Sequence, residues 1–592
     1  MKAWIDFPCE DGGRLCRSFS RPRQVLTAHR PGEVAPLLTA VERHGRAGGW
    51  AVGYVAYEAA PAFDPALRTR PPRPGRPLAL FALYDEADAT PAPLPAGAFR
   101  CGPWNMEMPR HAVEAEVAAI VEAIGDGRYY QVNLSARLTA VFEGEPGALF
   151  QALRLAQPDG YGAWFDGGDW QLLSVSPELF FDWTPAGELT TRPMKGTAPR
   201  DADPAVDAAA RQALVASDKE RAENLMIVDL LRNDLSRLAR PGSVSVPRLF
   251  EVEALPTAWQ MTSTVRCRTR ADVGLADVFG ALFPCGSVTG APKVAAMAAI
   301  AEKEVSPRDA YCGAIGLVRP GGHAVFNVGI RTVSLERDLA RGVAHCGIGS
   351  GVTWDSDPAA EYAEWLVKRR FLLRASAGFE LLETLRLEDG CYWLLARHLA
   401  RLADSARHFG FVCDEARVRQ ALADTAERHA AGAWRVRLRL DRRGAPTLER
   451  FPLEAAPAAA VVDVALATGR VDSTDEFLCH KTTERALYAP HAPLPDRFDT
   501  LMWNERGELT EFTRGNVVVE LDGRRLTPAL ACGLLPGVLR AELLARGEIA
   551  EAVIRCEDLP RATGLWFINS VRGMLPARLV QAAEQTTDGD AP

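Results

Sequence analysis

A chain of 592 residues exceeds what one hydrophobic core supports and implies roughly two to four domains. Its 47% hydrophobic and 24% charged fractions are those of globular protein, and a net charge of −8 gives no general attraction to nucleic acid or anionic membrane. No apolar run approaches the ~20 residues of a membrane span, the opening MKAWIDFPCEDGG lacks a signal-peptide core, and the cysteines form no CxxC pair, so a cytoplasmic protein without a zinc site or disulfide framework is expected. In chain order, GGWAVGYVAYE reads as an alternating strand followed by Tyr57 and Glu58, and the Pro- and Arg-rich 65–77 as a surface loop. Helical apolar spacing runs from Arg110 to Gly125, and strands are expected at YYQVNLSARLTAVF, WQLLSVSPELFFDW and GELTTRPMKGT. Asp203 to Leu238 reads as one long helix. A glycine-rich zone, HCGIGSGVTWDSDP, leads into a helix opening at Pro358 with Asp357 as its cap. The pattern changes near Ala375–Gly378, where FELLETLRLEDGCYWLLARHLARL reads as hairpin then helix, and strands alternate with helices thereafter. This divides the chain into domains at 1–375 and 376–582, with a disordered tail at 583–592.

The chain carries 68 basic residues but only seven lysines: Lys2, Lys195, Lys219, Lys293, Lys303, Lys368 and Lys481. Arginine cannot lose its proton near neutral pH, whereas a lysine amine can, and can then serve as base or nucleophile. The remaining lysines are thus enriched for positions where arginine will not do, Lys481 above all.

Carboxylates are the next signal. Glu220 and Glu223, in SDKERAENLMIVDLLRNDL, share one face of a helix that is apolar almost all round downstream of them. Glu361 and Glu364 repeat the spacing. Close pairs of buried carboxylates are costly without a cation, and Mg2+ would relieve them; solvated first-turn acids are the other reading. In TTRPMKGTAPR a strand runs into Lys195, Gly196 and Thr197, where glycine permits close approach of a ligand. GSVTGAPK fails the spacing of a phosphate loop and reads equally as a ligand loop or a tight turn capping a helix.

Taken together, YQVNLS, SPELFF, RPMKGT, KERAENLMIVDLLRNDL, GSVTGAPK, YCGAIG, IRT and GIGSGVTWDSDPAAEYAEW resemble, in order, the chorismate-utilising family of anthranilate, isochorismate and salicylate synthases and aminodeoxychorismate synthase component I. The resemblance implies an α/β fold with a large β-sandwich core and flanking helices. It implies Glu223 and Glu364 as Mg2+ ligands supported by Glu220 and Glu361, and Glu178 as the general acid for loss of the C4 hydroxyl. It also implies that Gly196, Thr197, Tyr311, Arg331 and the backbone of Gly347, Gly349 and Gly351 hold the substrate carboxylates. Where water-adding members carry a lysine base this chain has Gln131, which points to an amine nucleophile. Where anthranilate synthases carry alanine it has Lys195, as aminodeoxychorismate synthases do, and there the lysine is thought to attack C2 before ammonia adds at C4. The family's usual histidine before the ST turn is replaced in Trp259-Gln260-Met261. No cysteine sits in the G-x-C-x-G of a glutamine amidotransferase, so ammonia is expected from an amidotransferase subunit or free ammonium.

In the second half, KTTERALYAP, NERGELTEFTRGNVVV, LTPALACGLLPGVLR and FINSVRGMLPARL resemble the fold-type IV pyridoxal-phosphate enzymes, which include transaminases and aminodeoxychorismate lyase. The resemblance implies two α/β subdomains, a homodimer, and Lys481 as the lysine that binds the cofactor. Glu511 would pair with the pyridine nitrogen, and Arg401, Leu535, Leu539 and Ser570 would hold the phosphate. The combination implies a route from chorismate through 4-amino-4-deoxychorismate to 4-aminobenzoate. An amino-acid transaminase in the second half and a non-catalytic scaffold are the rival readings.

Overall fold

The computed structural model describes all residues except 10–11, 96, 201–203, 255–257, 339–340, 377, 454–460, 474 and 581–592. The tail expected to be disordered therefore lies outside the described residues. The chain divides into two compact units, Met1–Ala377 and Gly378–Pro592. Among the described residues no helix is long and apolar enough to cross a membrane.

Two ten-stranded sheets form the first unit. Ile5 and Phe165 of one sheet share a buried cluster with Val52, Leu80, Ile315 and Leu317 of the other, so the sheets face each other across a common core. Helices Pro31–Arg46, Arg110–Gly125 and Pro146–Ala156 add their apolar stripes to a second cluster. Each large side chain buried this way contributes about 1.5–3 kcal/mol.

Strand Gln131–Gly144 shows why this sequence makes a site. Val132, Leu134, Ala136, Leu138, Ala140 and Phe142 alternate into the core. The intervening Asn133, Ser135 and Arg137 stand opposite Gly351, Gly349 and Gly347 of strand Arg341–Val352. Directly opposed residues share a face, so a polar row runs beside a row without side chains, which opens space above the sheet.

The expected long helix is two. Pro204–Ala216 ends before Ser217, whose hydroxyl accepts the Glu220 N–H at 3.3 Å and caps a new helix, Asp218–Ser236. A serine cap followed by Asp218 and Glu220 in the first turn outweighs continuing helical propensity. Nor is this second helix apolar all round. It buries a stripe of Asn224, Ile227, Val228, Leu231, Asp234 and Leu235 and leaves Leu225 exposed.

The second unit has two subdomains. A four-stranded sheet carries helices Leu395–Phe409 and Glu415–Arg428; an eight-stranded sheet carries helix Val538–Ala545. In the larger sheet, strand Val462–Leu466 pairs in parallel with Asp499–Trp503 and Gly573–Leu579.

Candidate active sites

In the first unit, Lys195 sits on a β-bulge. Strand Met194–Pro199 pairs with Ala258–Arg268 through Met194↔Thr262 and then Thr197↔Gln260, so Lys195 and Gly196 together oppose the single residue Met261. Gly196 has φ +93°, a conformation that strongly favours glycine. The Lys195 amine projects over Gly351: a β-carbon built there would lie 3.1 Å from Nζ and against the amide of Gln131.

Two buried acceptors without a hydrogen-bond partner belong to this neighbourhood, Gln131 Oε1 and Glu178 Oε1. Glu178 is 4% exposed, and burial pushes its carboxyl up to about 7 against the opposing effects of the Ser287 hydroxyl and Lys195. A carboxylic acid that keeps its proton near neutrality is what general acid catalysis requires, and the Lys195 amine lies within electrostatic reach of it.

Tyr311 lies against Gly347, where a β-carbon would strike its ring, and its hydroxyl is 3.3 Å from Ser135 Oγ. Arg331 has φ +47°, and no carboxylate among the described residues pairs with it; burial, with Arg374 nearby, lowers it to about 10. A half-buried guanidinium with no carboxylate partner among the described residues suits a carboxylate ligand. Thr197 donates to Gln260 Oε1 at 3.0 Å.

Of the four glutamates, Glu361 accepts from Ser350 and, at 2.6 Å, from Ser356, while Glu364 pairs with Lys368 at 2.6 Å. Burial raises Glu220 and Glu223, and the neighbouring carboxylates Glu364 and Glu220 add to this respectively. Among the described residues no three acids gather as a metal-holding group. The donor chemistry, all oxygen and mutually repelling, fits a hard divalent cation, but the serines and Lys368 currently satisfy half of it.

GSVTGAPK is mainly structural. Thr289 closes the turn onto the Cys285 carbonyl at 3.1 Å, and Lys293 pairs with Asp234 at 3.1 Å. Ser287, in contact with Glu178, and Ala291, paired with Gln131, link it to the site.

In the second unit, Lys481 is stitched to strand Leu381–Glu388 by its carbonyl, which accepts the Leu382 N–H at 3.0 Å. Burial, with Arg401 beside it, pulls the Lys481 amine from 10.5 down to about 8. Glu511 accepts from the Tyr488 hydroxyl at 3.0 Å and from Asn516 at 3.2 Å, and burial raises it to about 8. Arg401 is forked onto Glu383 at 2.8 and 2.7 Å and donates to the Pro536 carbonyl at 3.2 Å, leaving two N–H groups for a ligand. Burial alone would raise Glu383, but Arg401 and His398 hold it at about 2. The Leu535 carbonyl accepts from Asn516 at 2.9 Å. Leu539 is buried in the first turn of Val538–Ala545, where backbone N–H groups point out of the helix, and Ser570 is buried on the following strand turn.

The family described as chorismate binding enzyme matches residues 19–374. This chain belongs to that family. In this chorismate binding enzyme, the amino-transferase class IV family matches residues 380–580, and the second unit has the fold-type IV architecture. Aminodeoxychorismate synthase component 1 of Klebsiella aerogenes is 41% identical over 295 residues, 49% of this chain and 64% of that protein. The chain spans 56–64% of the length of the first two curated relatives it matches. For the second unit, a Mesorhizobium loti structure described as an amino-acid aminotransferase is 43% identical, covers 34% of this chain and 100% of its own, and has a TM-score of 0.33. The 4-amino-4-deoxychorismate lyase of Pseudomonas aeruginosa is 25% identical over 35% of this chain and 84% of its own, with a TM-score of 0.32.

Sequence reasoning missed Ser287, Glu383, His398, Tyr488 and Asn516. The motif HLARL did hold a signal, because His398 and Arg401 lie three apart on one helix face and both meet Glu383.

Proposed function

We propose that the chain converts chorismate and ammonia to 4-amino-4-deoxychorismate in its first unit and releases 4-aminobenzoate and pyruvate in its second. The observation that carries the first step is the Lys195 amine held over Gly351 beside the buried acid Glu178 and the amide of Gln131. Arg331, with Tyr311 and Thr197, binds the substrate carboxylates. The Lys195 lone pair forms a bond to ring C2, the ring double bonds shift, and the C4–O bond breaks as Glu178 protonates the departing hydroxyl. Ammonia then bonds to C4, the C2–N bond breaks, and the Lys195 amine is restored as Glu178 recovers a proton. Gln131 cannot act as the base that would activate water.

Mg2+ at Glu223 and Glu364, with Glu220 and Glu361 behind them, would supply charge neutralisation for a substrate carboxylate. Ammonia comes from an amidotransferase partner or from ammonium.

Lys481, Glu511 and Arg401 fit pyridoxal phosphate: a buried amine, a buried carboxyl for the ring nitrogen, and a guanidinium near a helix N-terminus. When bound, the cofactor supplies an electron sink for carbanion character at C4. Lys481 takes the C4 proton and returns a proton to the enolpyruvyl group as it leaves, so the ring becomes aromatic. Self-association through the second unit and a cytoplasmic location belong to the same reading.

The test is incubation of the purified chain with chorismate, ammonium, Mg2+ and pyridoxal phosphate, with products separated by mass. Equal amounts of 4-aminobenzoate and pyruvate are expected, whereas 2-aminobenzoate would overturn the first step. Aminodeoxychorismate supplied directly should yield 4-aminobenzoate and pyruvate with no keto acid added as amino acceptor; turnover only with an added keto acid would make the second unit a transaminase.

A further inference from the structure

The bulge that presents Lys195 has a structural cost. Met194–Pro199 is an edge strand, whose successive carbonyls point alternately toward and away from its one neighbour, and here two residues face one, so regular pairing is interrupted at Lys195 and Gly196. A buried carbonyl needs a partner. Two side-chain amides provide it. Asn224, fully buried on helix Asp218–Ser236, donates Nδ2 to the Lys195 carbonyl at 3.4 Å. Gln260, 9% exposed on the neighbouring strand, donates Nε2 to the Gly196 carbonyl at 2.8 Å.

Each amide is itself oriented through its oxygen. Ser263 donates to Asn224 Oδ1 at 2.6 Å, and the same hydroxyl accepts the Phe250 N–H at 3.1 Å. Thr197 donates to Gln260 Oε1 at 3.0 Å, so Gln260 grips both sides of the Gly196–Thr197 peptide. Since an amide has one donor end and one acceptor end, neither Asn224 nor Gln260 can turn over without breaking both of its bonds.

We infer that Asn224 and Gln260 are positioning residues that clamp the two bulge carbonyls and thereby set the reach of the Lys195 amine over the substrate. This rests on the role proposed above for Lys195. Of the groups assigned to the substrate carboxylates the two amides touch Gly196 and Thr197 and leave Tyr311 and Arg331 alone, so the clamp governs the reacting amine more than the binding of chorismate. It also gives Gln260 a function in the place where the related synthases carry histidine: an amide can accept from Thr197 and donate to Gly196 O at once with no dependence on protonation state.

Four variants test this, each judged by its rate of C4 amination, by the yield of a chorismate-derived mass trapped on the Lys195 peptide, and by its thermal midpoint. Gln260→Met and Asn224→Leu keep volume and remove both bonds. They are expected to lower kcat by about 10- to 100-fold, the effect of misplacing a reacting group by around an ångström. The KM for chorismate should stay within about threefold, and the trapped adduct should fall in parallel with kcat. Gln260→Glu and Asn224→Asp keep the acceptor ends but set a carboxylate oxygen against each carbonyl, so losses at least as large are expected. If the apolar variants unfold, these two decide. Folded variants whose kcat and adduct yield stay within twofold of wild type would overturn the inference, as would a loss confined to KM. Lys195→Ala, run alongside, separates the two claims. Normal 4-aminobenzoate from Lys195→Ala would sink the reading of Lys195 itself, whereas a dead Lys195→Ala with unaffected clamp variants would sink only the clamp.

Discussion

The Lys195 amine stands 3.1 Å from the point that a β-carbon on Gly351 would occupy, and the Gln131 amide stands closer still. The Gly351→Ala methyl group would therefore push the amide aside and crowd the nucleophile without entering the core. C4 amination is expected to fall by about 100-fold while circular dichroism and the thermal midpoint barely change. A steady-state assay with near-normal turnover would show that the space over Gly351 is not where the amine works.

Glu178 must carry its proton to act as an acid, and burial raises its carboxyl to about 7. The amination rate should fall above that pH as Glu178 loses its proton, and fall again at lower pH as the Lys195 amine loses its lone pair to a proton, a bell-shaped profile whose alkaline limb Glu178→Gln would remove. The stability sign matches the alkaline limb. A raised carboxyl favours the folded state fully below the ordinary carboxylate range, and that contribution is lost as pH rises through about 7. Glu178→Gln should abolish most activity and flatten the loss of stability that runs from pH about 4.5 to about 7, measured by denaturation across that range.

With Lys195 replaced by Ala, the carboxylate-binding groups and Glu178 remain in place. Formation of 4-aminobenzoate should be abolished or greatly slowed, and any residual amination should give the C2-amino isomer, resolved by chromatography.

The second unit should bind pyridoxal phosphate and turn yellow, and borohydride reduction followed by peptide mapping should place the pyridoxyl group on Lys481. Tyr488→Phe removes the hydroxyl that donates to Glu511 at 3.0 Å. It should weaken the hold of Glu511 on the ring nitrogen and lower lyase turnover by about tenfold, while leaving the Lys481 label intact. A colourless protein that cannot be reconstituted would remove the cofactor assignment.

Glu223→Gln or Glu364→Gln should cut chorismate turnover by two or more orders of magnitude, with lyase activity on supplied aminodeoxychorismate preserved. Because Lys368 already holds Glu364 at 2.6 Å, Lys368→Met should lower the Mg2+ concentration needed for half-maximal rate. An unchanged requirement would show that Lys368 does not compete for that carboxylate.

Much of this was legible in the residues. The helix Arg110–Gly125 has the bounds its apolar spacing predicts, and the alternation of YYQVNLSARLTAVF gave the strand that floors the first site. The break at Ser217 was written as a serine followed by acids, but the helical spacing on both sides concealed it. The glycines opposite Asn133, Ser135 and Arg137 could not be paired without the register of the two strands. Gln260 was visible only as a departure from a histidine, because its partners are the carbonyl and hydroxyl exposed by a bulge. Glu383 and Asn516 escaped for a similar reason: each acts by holding another residue of the site, Glu383 gripping Arg401 and Asn516 gripping Glu511, through contacts that no spacing rule marks.

The bulge at Lys195 and Gly196 makes residue count matter as much as residue type. Side chains on a strand alternate like odd and even numbers, and one extra residue exchanges the two sets beyond it. Removing a residue between Met194 and Thr197 would restore regular pairing with Thr262 and Gln260 unchanged as partners, yet the single residue left opposite Met261 could not supply both the amine and the left-handed glycine that presents it. This short segment can therefore accept many spellings of a fixed length, and a deletion that restores regular pairing would be the surest way to silence it.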